Sequence, residues 1–358
     1  MAITNLDDLR THLRWAIQVE HSTVPPYLYA YYSIKDPNSP AAQLIRSVVV
    51  EEMLHMALAS NLINAVGVSP DLADPVYLPT YPGDLPHHNP EPPLLIRLEP
   101  CSIALLRDVF MRIEQPEQPP DPPEDDNYQT LGQFYAAIRA GLQLLDQSNP
   151  HLFSGDPRKQ VNVIYEAGPA GQIVEVFNLA SALAAIEEIV DQGEGTDRTE
   201  YTSPDDHELA HYWKFWEIVN KVVPFDQEHD VYPVVSDPRT ADLPSGDLRE
   251  LAQLFNDCYC LLLRVLTQIF AQGNSSPLVQ HGVIFTLMSY VLTPIAGLLV
   301  QTTIPGKDQN AGPSFEYSTT PQAQIIERCK QLASSYPILV GVFDQLMTLP
   351  TIDPHLVS

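Results

Sequence analysis

Two segments of the chain place a carboxylate and an imidazole three residues apart inside otherwise apolar helical patterns, which few folds tolerate. In Val50-Glu51-Glu52-Met53-Leu54-His55-Met56, Glu52 lies four residues after Val48 and four before Met56. Its side chain and that of His55 therefore share the buried stripe of a helix. Glu208 and His211 repeat the spacing beside Tyr212 and Phe215, and a further acid, Glu20, lies three residues after Ile17 and four before Val24. An unpaired buried carboxylate costs several kcal/mol or is driven to its neutral form. Acids aimed into one core therefore need positive charge between them. Arg14, Arg46 and Lys214 could reach in from the edges, but they are too few, and a pair of divalent cations is the economical solution.

The helices that carry these residues follow from periodicity. Leu6, Leu9, Leu13, Ile17, Val24, Tyr27 and Tyr31 predict a first helix over residues 6–32, capped by Asn5 and bent by Pro25-Pro26. A second is expected over about 41–66, stopped by Gly67 and Pro70, and a third over about 172–192. A fourth should start at a Thr202 or Ser203 cap with Pro204 in its first turn. Between the second and third lies a crossover of about 67–170. It is rich in proline, with a strand pattern at 94–98, a short helix over 103–113, a solvated PEQPPDPPEDD run and a helix near 131–145. A connection of that length must carry its own structure. Beyond a proline-rich link at 224–244 come apolar helical stretches at 247–271, 277–301 and 321–348. The expectation is an all-α chain: a bundle with its insertion over 1–225, and a helical extension over 226–358 packed on it.

One Glu from each of two helices plus a Glu-x-x-His from each of the other two is the dinuclear carboxylate centre of a ferritin-like four-helix bundle. The third helix offers Glu187, Glu188, Asp191 and Glu194. Counting about 100° per residue from Ile173 centres its stripe near Glu187, with Glu194 about 20° away and Glu188 toward the edge. Glu208 sits about one turn into helix four, so an antiparallel partner presents its ligand near its own end. That favours Glu194, with Glu187 as the alternative, and requires the helix to continue through Gln192-Gly193. The expected metal set is Glu20, Glu52, His55, Glu194, Glu208 and His211. Glu51, four residues before His55, reads as part of an exposed helix pair, and His207 as facing away. The second nitrogens of the two histidines need partners of their own. Tyr27, Tyr31, Tyr212 and Trp15 are expected to line or close a pocket.

Composition narrows the function classes. A net charge of -26, from 19 Lys+Arg against 45 Asp+Glu, argues against a nucleic-acid partner, which needs a basic surface, and disfavours anionic membranes. With 18% charged and 44% apolar residues the chain is globular, not a disordered polyanion. The start, MAITNLDDLRTHLRWA, has no uninterrupted apolar run, so a cytoplasmic location is expected. Cys101, Cys258, Cys260 and Cys329 are too few and too scattered for a disulfide framework and read as reduced core thiols.

The run Arg14 to Leu28 (RWAIQVEHSTVPPYL), the Glu51-to-Met56 block, Gln192-Gly193-Glu194-Gly195 and Glu208-Leu209-Ala210-His211-Tyr212 resemble the ferritin-like domain family named for iminophenyl-pyruvate dimer synthase, a violacein-pathway enzyme. The similarity spans about residues 5–225 and includes Leu131-Gly132-Gln133-Phe134-Tyr135. It implies a ferritin-like bundle with Glu20, Glu52, His55, Glu194, Glu208 and His211 as the metal-binding set, and so supports Glu194 over Glu187. It does not transfer the substrate.

The leading expectation is a non-haem dinuclear metal oxidase or oxygenase acting with O2 on a small organic molecule. Its cofactors would be two divalent ions, iron in the first place, with manganese or a mixed pair allowed. The rivals are a ferroxidase or iron-binding protein, and a metal-stabilised binding protein without catalysis. A homo-oligomer is allowed by the sequence and not required by it.

Overall fold

The computed structural model describes residues 3–88, 93–116, 128–163, 171–194, 202–203, 206–207 and 209–352, with backbone alone for 194, 202–203 and 206–207. Helix α1 (Leu6–Ser33) starts where the Asn5 side chain accepts from the amides of Asp7 and Asp8 at 3.1 and 3.0 Å. This satisfies two of the donors a helix start leaves orphaned, and the two acids suit the positive end of its dipole. Pro25 and Pro26 lie inside α1 without ending it. A proline removes an i→i−4 donor; the Ser22 carbonyl that Pro26 leaves free accepts instead from the Tyr81 hydroxyl at 2.7 Å. Helix α2 (Pro40–Ala65) begins with a Ser39 cap and a proline at its first position. It stops before Gly67, whose φ of +84° favours a residue without a Cβ.

The crossover does carry structure. Helix α3 (residues 103–113) is wound as α at Ile103–Leu105, π at Leu106–Phe110 and α again at Met111–Ile113. A two-residue strand pair, β1 (Gly83–Asp84) and β2 (Leu95–Ile96), precedes it. Helix α4 (Leu131–Ser148) packs on α1 and on α5 (Leu179–Glu194). Helix α6 (His211–Val219) packs against α2, α3 and α5. The bundle is thus α1, α2, α5 and α6, with α2 touching the other three and α3 and α4 closing its sides.

Two of the expected helices start later than the sequence pattern suggests. Helix α5 begins at Leu179 instead of about residue 172, with Asn178 accepting from the Ser181 amide at 3.0 Å. The stretch before it is held to α2 by side chains. Asn61 donates to the carbonyls of Val161 and Val174 at 2.7 and 2.9 Å, and the Val176 amide donates to Gln160 at 2.8 Å. With its backbone satisfied in this way the segment has no need of helical hydrogen bonds. Helix α6 begins at His211, not at Pro204, because Thr202–Ser203 (β3) pairs antiparallel with Asp206–His207 (β4). The Ser-Pro-Asp-Asp run that reads as a helix start is equally the chemistry of a turn.

The tail supplies a second apolar layer. Helix α7 (Asp247–Gln272) is buried on most sides; α8 (Val283–Gln301) has a π-wound centre at Thr286–Leu292. Beyond them α9 (Gln322–Leu332) and α10 (Leu339–Thr348) replace the single stretch expected at 321–348, with Pro337 between them. α7 packs on α2, and α8 on α1 and α7. Polar links fix the seam: Asn64 donates to the Phe270 carbonyl at 3.0 Å, and His21 Nε2 lies 2.6 Å from the Tyr259 hydroxyl. By length and composition Asp247–Ser275 and Val283–Gln301 could each cross a membrane, but 89% and 56% of their most apolar windows are buried inside the protein. All four cysteines are free and buried.

Candidate metal centre

Glu20 from α1, Glu52 and His55 from α2, Glu114 from the end of α3 and His211 from the first turn of α6 converge in the bundle, all buried. One donor atom each from Glu20, Glu52 and His55 lies within 4.8 Å of the others, and the same holds for Glu52, Glu114 and His211. Glu52 belongs to both sets. His55 Nδ1 is 3.5 Å from Glu20 and 4.0 Å from Glu52; His211 Nδ1 is 2.9 Å from Glu52 and 3.3 Å from Glu114. The two rings lie nearly parallel with centroids 5.3 Å apart.

The far nitrogen of each ring is occupied. Gln192, on α5, donates from its amide nitrogen to Glu188 at 3.2 Å, which turns its oxygen toward His55 Nε2 at 2.9 Å. His55 Nε2 is therefore the protonated nitrogen, and the Nδ1 lone pair faces the acids. His211 Nε2 lies 2.8 Å from Glu51, whose two oxygens also accept from the Lys214 ammonium at 2.6 and 2.7 Å. The acids are fixed as well: Thr23 donates to Glu52 at 2.6 Å, Tyr27 to Glu114 and Tyr135 to Glu20. Phe110 and Phe215 cover Tyr27, with ring centroids at 4.5 and 5.4 Å.

These groups fit a pair of divalent cations. Among the described residues, four buried acids, Glu20, Glu51, Glu52 and Glu114, face one buried ammonium, Lys214. Two imidazole lone pairs also point at carboxylates, an arrangement that a proton or a metal must bridge. The titration behaviour of the groups without metal carries the same message. Burial first, and the Glu114 charge next, push Glu52 up to about 7. Burial works to lower His55, yet the hydrogen bond and charge of Glu20 raise it on balance. His211 is raised well above its ordinary value, because the charges and hydrogen bonds of Glu114, Glu51 and Glu52 outweigh its burial. Oxygen and nitrogen donors in this mix suit iron, manganese or zinc better than calcium or copper(I).

Among the expected ligands, the structure brings Glu20, Glu52, His55 and His211 together. Glu208 lies outside the described residues, as does the side chain of Glu194. α5 does run through Gln192-Gly193 to Glu194, and a Cβ on Gly193 would stand 3.8 Å from Glu114 and 3.9 Å from His55, so this helix ends at the cluster. Glu187 is exposed and does not face the acids; its stripe was counted from Ile173, which precedes the helix. Glu51 is not part of an exposed pair but buried against Lys214 and His211, because α2 is enclosed on nearly all sides. Arg46 is exposed, so among the flanking cations it is Lys214 that reaches in. Of the pocket aromatics, Tyr27 bonds a cluster acid, while Tyr31 and Tyr212 are half-buried beside Tyr32 and Trp213. Trp15 stacks on His87 with centroids 4.2 Å apart. Sequence reasoning missed Glu114 and Tyr135. Glu114 follows a π-wound turn in the proline-rich crossover, where no 3.6-residue phase predicts its direction. The signal for Tyr135 was the apolar stripe of α4, with Leu131, Ile138 and Leu142.

Comparison with known proteins agrees with this fold. A family model described as ferritin-like matches residues 13–220. The chain is 27% identical to dichlorochromopyrrolate synthase of Lentzea aerocolonigenes, over 89% of its own length and 37% of that protein. It is also 27% identical to 2-imino-3-(indol-3-yl)propanoate dimerase of Chromobacterium violaceum, over 85% of its length and 33% of that protein. It thus spans about a third of the length of these curated relatives. Among solved structures, a ferritin-like protein from Caulobacter vibrioides superposes with a TM-score of 0.65 at 27% identity, covering 89% of this chain and all of that one. With its all-α bundle and a match over more than half its length, the chain belongs to the ferritin-like family.

Proposed function

We propose that the protein is a dinuclear non-haem metal oxidase or oxygenase that uses O2 on a small organic molecule, with iron as its metal. The observation that carries the reading is the shared carboxylate: Glu52 stands between two histidine–glutamate pairs whose Nδ1 atoms both face it. Glu20, Glu52 and His55 would hold one ion, and Glu52, Glu114 and His211 the other, with Glu194 and Glu208 completing the shell. When bound, a redox-active pair supplies the electrons that oxygen chemistry needs and neutralises the buried acids. The chain's own part is to hold and orient. Gln192 and the Glu51–Lys214 pair keep each Nε2 protonated and each Nδ1 aimed inward. Thr23, Tyr27 and Tyr135 limit the swing of the three acids, and Phe110 and Phe215 exclude water from the Tyr27 side. The names of the two curated relatives, a synthase and a dimerase, support chemistry on small organic acids.

The test is metal analysis of protein purified from its own host, followed by anaerobic loading with ferrous iron and measurement of oxygen uptake. About two ions per chain and stoichiometric oxygen consumption are expected, with Mössbauer parameters of a coupled pair. Glu52→Ala with His55→Ala should empty at least one position. A folded protein that keeps both metals in that variant, or that binds iron without consuming oxygen, would count against an enzyme.

A further inference from the structure

The seam between the bundle and the tail holds a largely enclosed apolar cavity of about 40 Å³. On α1 its wall is the stripe His21, Val24 and Leu28; on α2 it is Met53, Met56 and Ala57. These residues sit beside Glu20, Glu52 and His55 in the same helical turns, so only the α1–α2 layer separates the cavity from the acids. α7 and α8 close the far side. A void of this kind is costly in a close-packed core. A water needs room of about 10–15 Å³ and two to four polar partners; the cavity has the room, but its lining is almost wholly apolar, and His21 Nε2 and the Tyr259 hydroxyl are turned on each other at 2.6 Å. It is large enough for a diatomic gas and lined to prefer one over water.

His21 also lines a second pocket, of about 240 Å³, which is more polar and more open. There the same face of α1 continues outward through Gln18, Ile17 and Arg14, against the loop of Ser69 to Asp74. His21 is thus the partition between an outer pocket and a more enclosed apolar one. The inner walls are adaptable. Met53, Met56 and Met288 contribute flexible thioethers, and Met288 lies in the π-wound turn of α8.

We propose that this seam is a binding site for a small apolar gas, O2 in the working protein, entered from the outer pocket past the hydrogen-bonded pair His21 and Tyr259. The role of O2 rests on the function proposed above, whereas the gas site itself does not. Xenon is the probe for the site. Crystals pressurised with xenon should show density among Val24, Met56 and Leu266, and Leu266→Phe, a substitution on α7 that fills the space, should abolish it. Stopped-flow oxidation of the ferrous-loaded protein should then be at least fivefold slower in its dependence on O2 concentration in Leu266→Phe, with metal content unchanged. Tyr259→Phe, which frees His21, should quicken that step at least twofold. Absence of xenon from the wild-type cavity overturns the site. Xenon binding with wild-type oxidation in Leu266→Phe overturns the route, and an unchanged rate in Tyr259→Phe overturns the gate. Ferrous protein that never reacts with oxygen breaks the proposed function instead, and leaves the xenon density to decide the gas site by itself.

Discussion

Asp257 on α7 and Glu52 on α2 are both fully enclosed carboxylates, yet the protein neutralises them in different ways. Asp257 bonds the Arg328 guanidinium and accepts from the Ser318 hydroxyl at 2.5 Å and from Gln253 at 2.9 Å. Its charge is matched by a side chain of the same chain, so nothing further is needed. Glu52 has Thr23 and His211 as hydrogen-bonding neighbours and two more acids, Glu20 and Glu114, close by. One interior is complete as folded; in the other, the buried acids outnumber the buried cations among the described residues. A buried acid alone therefore says little about function, whereas buried acids that outnumber their cations point to a ligand.

The largest effect that would sharpen this contrast is chelation. Each ion present at about a thousandfold over its dissociation constant contributes about 4 kcal/mol to stability, so stripping two should lower the unfolding free energy by several kcal/mol. The metal-free protein should also lose stability as pH rises from about 4.5 through 7, where Glu52 gives up its proton, and further above 6.5, where His55 and His211 give up theirs. Glu52 has a folded value raised from 4.5 to about 7, and His55 and His211 are raised above 6.5. A group raised on folding binds its proton more tightly in the native state, so its contribution is full below the unfolded value and disappears as pH passes the folded one. The metal-bound form should lack that decline, because metal takes the place of the protons. Urea denaturation across this range with and without chelator measures both, and a chelated protein that gains stability with pH would break the comparison.

Next in size, Arg328→Ala should cost about 3 kcal/mol in urea denaturation, toward the low end for breaking a buried pair because Arg328 is partly exposed, with metal content unchanged. Lys214→Met should behave in the opposite sense: metal affinity falls about 10- to 100-fold, as expected when the partner of a ligating histidine is disturbed, and competition with a chromophoric chelator reads it. Equal metal affinity in the variant would make Glu51 and Lys214 a simple ion pair like that of Asp257. The smallest effect belongs to Glu187→Gln, expected to stay within about 0.5 kcal/mol of the parent, as exposed sites do, and to retain both metals. Loss of a metal there would return Glu187 to the ligand set.

How much of this was legible depends on how far one helix can be followed. Along α1 and α2 a 3.6-residue repeat runs for more than six turns, so the inward direction of Glu20, Glu52 and His55 could be counted. The same count failed for Glu51, since beyond Arg46 the helix is enclosed by α1, α5, α6 and α7 and has no exposed face to which an acid can turn. It also failed at the starts of α5 and α6, where the side chains of Asn61 and Gln160, and the pairing of β3 with β4, competed for the same backbone groups. Glu114 lay beyond any count, because a π-wound turn shifts the phase of the residues that follow it.

Periodicity and charge by themselves determined an all-α bundle with carboxylates and imidazoles on its inner faces, because side-chain direction on a long helix is a local property. Tertiary structure decided which acids share the centre, which lysine neutralises the outlying one, and where the tail leaves a void against it. Those outcomes depend on contacts between residues as far apart as Glu51 and Lys214, or His21 and Tyr259, and no local pattern encodes such contacts.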